Sequence, residues 1–102
     1  MKKIMMLYVP CPSREEAKSI AKILLEKSLI VCANIFPITS IYKWEGEVVD
    51  DSEYVLFLKT FDGSIEKLKE KIKKIHPYEV PCIIKLDLEV NEEYFSWMQK
   101  TI

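Results

Sequence analysis

An α+β sandwich is predicted by three features of this sequence: apolar runs of strand length, two stretches with apolar residues at helical spacing, and turn or capping residues between them. IMMLYV (4 to 9) is apolar on both faces and reads as a buried first strand, which PCPS then breaks. Ser13 and Glu16 form an S-x-x-E capping box, so a helix should begin at Arg14, with Ala17, Ile20, Ala21 and Leu24 on its inward face. LIVCANIF (29 to 36) is the second strand. From Thr39 the pattern alternates, with Tyr42 and Trp44 on one side and Lys43 and Glu45 on the other, up to a turn at Gly46. A further turn is expected at DDS (50 to 52), after which EYVLFLKT (53 to 60) is the next strand. Beyond FDGS, Ile65, Leu68, Ile72 and Ile75 lie on one face of a second helix. That helix must stop before Pro77, because a proline pushes the preceding residue out of the helical region. CIIKLDLEV is the last strand, and Asn91 is placed to cap a short closing helix carrying Tyr94, Trp97 and Met98.

The order strand, helix, strand, strand, helix, strand is the split βαβ arrangement. The expectation is a ferredoxin-like βαββαβ sandwich with an extra C-terminal helix, forming one domain over residues 1–102. Two helices cover only one face of a four-stranded sheet, yet the strands at 4 to 9, 29 to 36 and 54 to 58 are apolar on both faces. The closing helix can shield part of the second face, and self-association through the remainder is the simplest remedy for so much exposed apolar surface.

Composition excludes several classes. Lys and Arg number 15 against 16 acidic residues, so no basic excess points to nucleic acid. No stretch approaches the roughly 18 apolar residues of a membrane span, and MKKIMMLYVP lacks a small-residue cleavage site. Three cysteines are an odd number without framework spacing, which favours a cytoplasmic protein with reduced thiols. Fourteen lysines to one arginine, 12 glutamates and two glycines are a balance seen in heat-adapted proteins.

Three motifs in order, CANI (32 to 35), TSIYKWEG (39 to 46) and HPYEVP (76 to 81), followed by NEEYFSW, resemble the CutA family of divalent-cation tolerance proteins. The similarity runs from YVPCPSREEA to the closing Trp97. Departures are small: the glycine that the family often carries after the proline matching Pro37 is absent, so a loop one residue shorter is expected there, and Cys82 stands where glutamate or alanine is usual. The resemblance implies a homotrimer of ferredoxin-like subunits with the TSIYKWEG hairpin reaching across to a neighbour. It also implies divalent metal ions as partners, copper among them, and an architecture similar to the PII signalling trimers, which bind small ligands in clefts between subunits.

The candidate residues have competing roles. His76 is the only histidine, and imidazole is a common copper and zinc ligand. Its spacing of six to Cys82 matches no zinc motif, however, and a histidine in the last turn of a helix also serves the dipole and the turn into the final strand. Cys11, just before a helix N-terminus, is placed where the dipole lowers a thiol's pKa, and is either a soft-metal ligand, a redox-sensitive group or an ordinary loop thiol. Cys32 reads as a small buried hydrophobe. Tyr42 and Trp44 read as interface anchors rather than ligand-stacking groups. Lys59, Tyr78 and Glu79 offer a cation, a phenol and a carboxylate to an inter-subunit cleft. No phosphate-binding fingerprint is present and no Ser/His/Asp set assembles, so the chain is read as a binding protein and not an enzyme. Divalent metal at some of His76, Cys11 and Cys82 is the first reading, and a PII-like small-ligand or protein-interaction module the second.

Overall fold

A computed structural model describes residues 1–102 as β1 (Lys2–Cys11), α1 (Arg14–Glu26), β2 (Cys32–Trp44), β3 (Glu47–Thr60), α2 (Ile65–Ile75), β4 (Ile84–Val90) and α3 (Glu92–Thr101). The strands form one antiparallel sheet in the order β2-β3-β1-β4, which is the split βαβ topology.

The first helix begins where its capping residue requires: Ser13 is extended and its Oγ accepts the Glu16 amide at 3.1 Å. Ser13→Ala is expected to destabilise the fold by about 1 kcal/mol in guanidinium denaturation, the usual cost of losing such a cap. The helix closes through Ser28, whose φ of 56° is left-handed, with Leu29 N–H donating to Leu24 C=O and Ser28 N–H to Leu25 C=O. That pair of bonds is a Schellman motif. It explains why the second strand starts at Cys32 and not at residue 29: Leu29 is the apolar residue that closes the helix, packed against the core.

Two other expectations are corrected. DDS is not a turn, and no loop forms at Pro37, because β2 and β3 run unbroken as 13- and 14-residue strands paired from Cys32↔Lys59 to Trp44↔Glu47. Asp50 and Ser52 are exposed, so they meet no desolvation cost in a strand, and β2 lies at the sheet edge, where a proline is tolerated. The single turn is Glu45–Gly46, with φ of 51° and 82°. Both residues in the left-handed region give the hairpin turn whose twist matches its strands, so Glu45 is a turn residue and not part of the alternating face.

β1 pairs with β3 only from Tyr54 onward, so the hairpin beyond Ile38 and Glu53 projects as a two-stranded arm, and the molecule is 46 Å in its longest dimension. Ile41, Trp44 and Val48 are exposed on this arm.

Leu7 and Val9 of β1 and Leu56 and Leu58 of β3 face α1 and α2, meeting Ala17, Ile20, Ala21 and Leu24 of the first helix and Ile65, Leu68 and Ile72 of the second. Alternation sends Met6, Tyr8, Phe36, Phe57, Ile84, Leu86 and Leu88 to the opposite face. The closing helix covers one end of that face, where Met98 packs with Ile4 and Val31, and Phe61 meets Phe95 edge-on at 5.5 Å. Asn91 occupies the N-cap position as expected, but its side chain makes no capping bond. The remainder of the second face is open, with Phe57 between Tyr8 and Phe36 at ring-centre distances of 5.7 and 5.5 Å.

Candidate functional site

The arm and the 76–82 segment together build a cavity. Register about the Glu45–Gly46 turn puts Tyr42, Trp44, Val49 and Glu53 on one side of the arm. The chain leaving α2 folds over that side and brings Tyr78, Glu79, Val80 and Cys82 against it, enclosing about 540 Å³.

His76 makes this crossing possible. It ends α2 with an extended ψ of 137°, as a residue before proline must, and its amide still donates to Ile72 C=O. Its Nε2 lies 2.8 Å from the Pro10 carbonyl, and its Nδ1 accepts the Tyr78 amide at 3.1 Å. A carbonyl can only accept, so Nε2 carries the proton and Nδ1 has spent its lone pair on the backbone. The ring is 7% exposed. The sequence left His76 between helix end and ligand; in this arrangement both nitrogens hold the loop to β1, and neither is free to coordinate.

Cys11 is at 0% exposure on the helix-facing side of β1, its Sγ 3.7 Å from Val9 C=O. Burial, with the nearby Glu16 and Glu53 carboxylates adding to it, pushes the thiol up to about 12 from 9.0. The sequence expectation of a helix dipole lowering this pKa is therefore reversed: the strand runs through Cys11, and desolvation outweighs the dipole. Because the folded pKa is raised, the unfolded chain loses this proton first, so stability declines as pH rises from about 9 towards 12. Cys11→Val is expected to remove that component, so its guanidinium midpoint should fall less than the parent's across the same alkaline window.

Glu53 was missed from sequence, where it reads as the polar first residue of a strand. It is 6% exposed at the cavity floor, and Tyr78 Oη donates to its Oε2 at 2.6 Å. Burial first, and then the hydrogen bond to Glu53, raises the Tyr78 phenol well above its ordinary value, so it stays a donor at all physiological pH. Hairpin register places Glu53 beside Tyr42 and Trp44, but nothing local signals that the Tyr78 loop folds onto them. Tyr42 Oη donates to Asp51 Oδ2 at 3.2 Å on the same side of the arm.

Lys59 does not join Tyr78 and Glu79. It lies at the far end of β3, Nζ 3.9 Å from Cys32 Sγ and 5.2 Å from the Tyr94 ring centre. The cavity therefore has two carboxylates, Glu53 and Glu79, the exposed Cys82 thiol and three aromatic walls, with no Lys, Arg or His in its lining. His76, Cys11 and Cys82 do not form a ligand set, and no cluster of three or more His, Cys, Asp and Glu side chains suited to a metal ion occurs within the chain. No helix is long and apolar enough to cross a membrane.

Residues 5–101 match the family model described as CutA1 divalent ion tolerance protein. The chain is 47% identical over 96 residues to the divalent-cation tolerance protein CutA of Thermus thermophilus, covering 92% of this chain and 93% of that one. Among solved structures, CutA1 from Ehrlichia chaffeensis superposes with a TM-score of 0.92 at 42% identity, covering 99% of this chain and 96% of the other. CutA1 from Pyrococcus horikoshii gives a TM-score of 0.92 at 40% identity, covering 95% and 96%.

Proposed function

Because the chain belongs to the CutA1 divalent ion tolerance family, we propose that it serves divalent-cation tolerance as a homotrimer whose cavity beneath the hairpin arm takes up the cation, copper first. The observation that carries this reading is the lining: two carboxylates and a free thiol with no cationic side chain beside them. Thiolate suits copper and zinc, and carboxylate oxygens complete such sites. Of the residues singled out from sequence, Cys82 keeps a ligand role, joined by Glu53 and Glu79, while His76 and Cys11 support the fold. Since one chain does not bring three donors together, the reading requires a neighbouring copy to complete the set.

Assembly is supported by the open apolar face and by the arm, since a two-stranded ribbon has little stability of its own and gains it by packing on a neighbour. Threefold closure is part of the proposal, as is a cytoplasmic setting, for which three unpaired cysteines are the support. The reading is of a binding protein, and it assigns no reaction to the cavity.

A second reading keeps the cavity and changes its occupant. A volume of about 540 Å³ walled by Tyr42, Trp44 and Tyr78 is the size and character of a small-molecule site, as a PII-like signalling trimer would use. Anaerobic copper titration of the reduced oligomer by calorimetry separates the two. Saturable binding is expected, weakened about tenfold (1.4 kcal/mol) or more in Cys82→Ser and unchanged in Cys11→Val. Absence of saturable binding removes the metal reading, and a thermal shift with a cationic or aromatic small molecule would then support the second.

A further inference from the structure

The buried carboxylate of Glu53 has no counter-charge within the chain. The residue is 6% exposed, its Oε2 takes one hydrogen bond from Tyr78 Oη at 2.6 Å, and none of the three ion pairs involves it or Glu79. A carboxylate taken this far out of water costs free energy unless a cation or further donors reach it, and one hydroxyl leaves most of its acceptor positions open. Glu53 lines the cavity beneath the arm, whose walls hold no Lys, Arg or His to supply the missing charge. A ligand that enters with a positive charge therefore meets an acceptor that is already desolvated.

The walls narrow the class of cation. Tyr42, Trp44 and Tyr78 line the cavity together with Val49 and Val80, and aromatic faces attract ammonium ions, most of all where water is excluded. The Tyr42 proton is committed to Asp51 at 3.2 Å and the Tyr78 proton to Glu53, so neither phenol offers a donor to an anion. A metal ion needs several donors at about 2.0 to 2.3 Å, and no three His, Cys, Asp and Glu side chains of one chain converge to provide them. An organic ammonium needs less: one carboxylate for its charge and ring faces for its alkyl groups. One chain supplies both, around a volume of about 540 Å³ that suits a small organic molecule.

We propose that the cavity beneath the arm binds a monovalent organic ammonium carried on an apolar body, with Glu53 as its counter-ion and Tyr42, Trp44 and Tyr78 as its walls. This rests on the second reading above, in which the cavity holds a small molecule, and it names that molecule's chemistry. The exposed Glu79 adds a second negative charge to the lining, which draws cations in and turns anions away. A neutral aromatic compound would leave Glu53 unpaired, and a carboxylate or phosphate would be buried against two like charges. Glu53 lies four residues along β3 from Phe57, roughly 13 Å at strand spacing, so an assembly closed around Phe57 leaves the cavity at the margin of the covered face. Entry from that margin is part of the proposal.

The test is calorimetry of the intact, metal-free oligomer with three probes that share a ring and differ in charge: benzyltrimethylammonium, benzyl alcohol and phenylmethanesulfonate. Benzyltrimethylammonium is expected to bind saturably, about tenfold more tightly than either of the others or better. Glu53→Gln, which keeps the shape and an acceptor for Tyr78, should weaken that binding by about tenfold, and so should Trp44→Leu. Sedimentation velocity checks that both variants assemble as the parent does. If benzyl alcohol or phenylmethanesulfonate binds as tightly as the ammonium, the proposal falls and the cavity remains a small-molecule site without selection for positive charge. If none of the three binds, the proposal and the small-molecule reading fall together, and the copper titration alone decides the metal reading. Parental affinity in Glu53→Gln would place the cation elsewhere and overturn the proposal. Should that variant fail to assemble, parental affinity in Trp44→Leu, whose side chain is half-exposed, overturns it in the same way.

Discussion

Phe57→Glu is expected to convert the proposed homotrimer to monomers, read by sedimentation velocity at micromolar concentration. Phe57 is at the centre of the open sheet face, with Tyr8 and Phe36 packed on either side of it. In the separate chain the ring is half-exposed, so a carboxylate there can reach water and the monomer's own core is left intact. In an assembly closed through this face the same carboxylate is buried among aromatic rings, and an unpaired buried charge costs several kcal/mol, which is orders of magnitude in association constant. Every subunit would carry that penalty. The control is Lys67→Glu on the exposed side of α2, which should sediment as the parent does. A Phe57→Glu protein that also sediments as the parent would show that another surface holds the copies together. Monomers should also lose protection in the arm, since residues 38–53 would then stand as a two-stranded ribbon without a neighbour, and amide exchange along Ile41 to Val49 should accelerate.

Local signals were legible where one residue decides the local structure. Ser13, Gly46 and Pro77 each act within four residues of themselves, and each falls where the sequence placed it: a helix start, a hairpin turn and a helix end. The errors share a cause. Leu29 and DDS were read by composition and the loop at Pro37 from the family resemblance, but the Schellman closure at Ser28 depends on hydrogen bonds spanning five residues, and Pro37 and Asp50 are tolerated because of where their strands lie in the sheet. The same division holds for the candidate sites. Tyr42 and Trp44 follow from alternation. Glu53, the Cys32–Lys59 pair and the inaccessibility of Cys11 depend on which strand faces which helix, and that is decided by pairing between segments distant in sequence. A lone histidine in a proline-rich loop invites a ligand reading because sequence shows neither of its partners. Both lie in the backbone, and one belongs to a strand 66 residues away.

His76→Ala is expected to lower stability by about 2 to 4 kcal/mol in equilibrium denaturation while leaving the affinity for copper unchanged, a combination that separates a structural histidine from a liganding one. The figure follows from what is left behind. Removing the ring strips the buried Pro10 carbonyl of its donor and the part-buried Tyr78 amide of its acceptor, each bond being 3.1 Å or shorter. An orphaned buried group costs about 1 to 3 kcal/mol, and the ring's packing on Tyr78, at 4.8 Å between centres, is lost as well. His76→Asn tests the assignment of the two nitrogens. An asparagine oxygen can accept the amide two residues on, as Nδ1 does here, but its side chain is too short to reach Pro10, so about half of the loss should return. Copper binding weakened tenfold in both variants with stability unchanged would instead make His76 a ligand. The structural role predicts the reverse: stability falls and copper affinity holds, because one ring nitrogen is committed to the Pro10 carbonyl and the other to the Tyr78 amide.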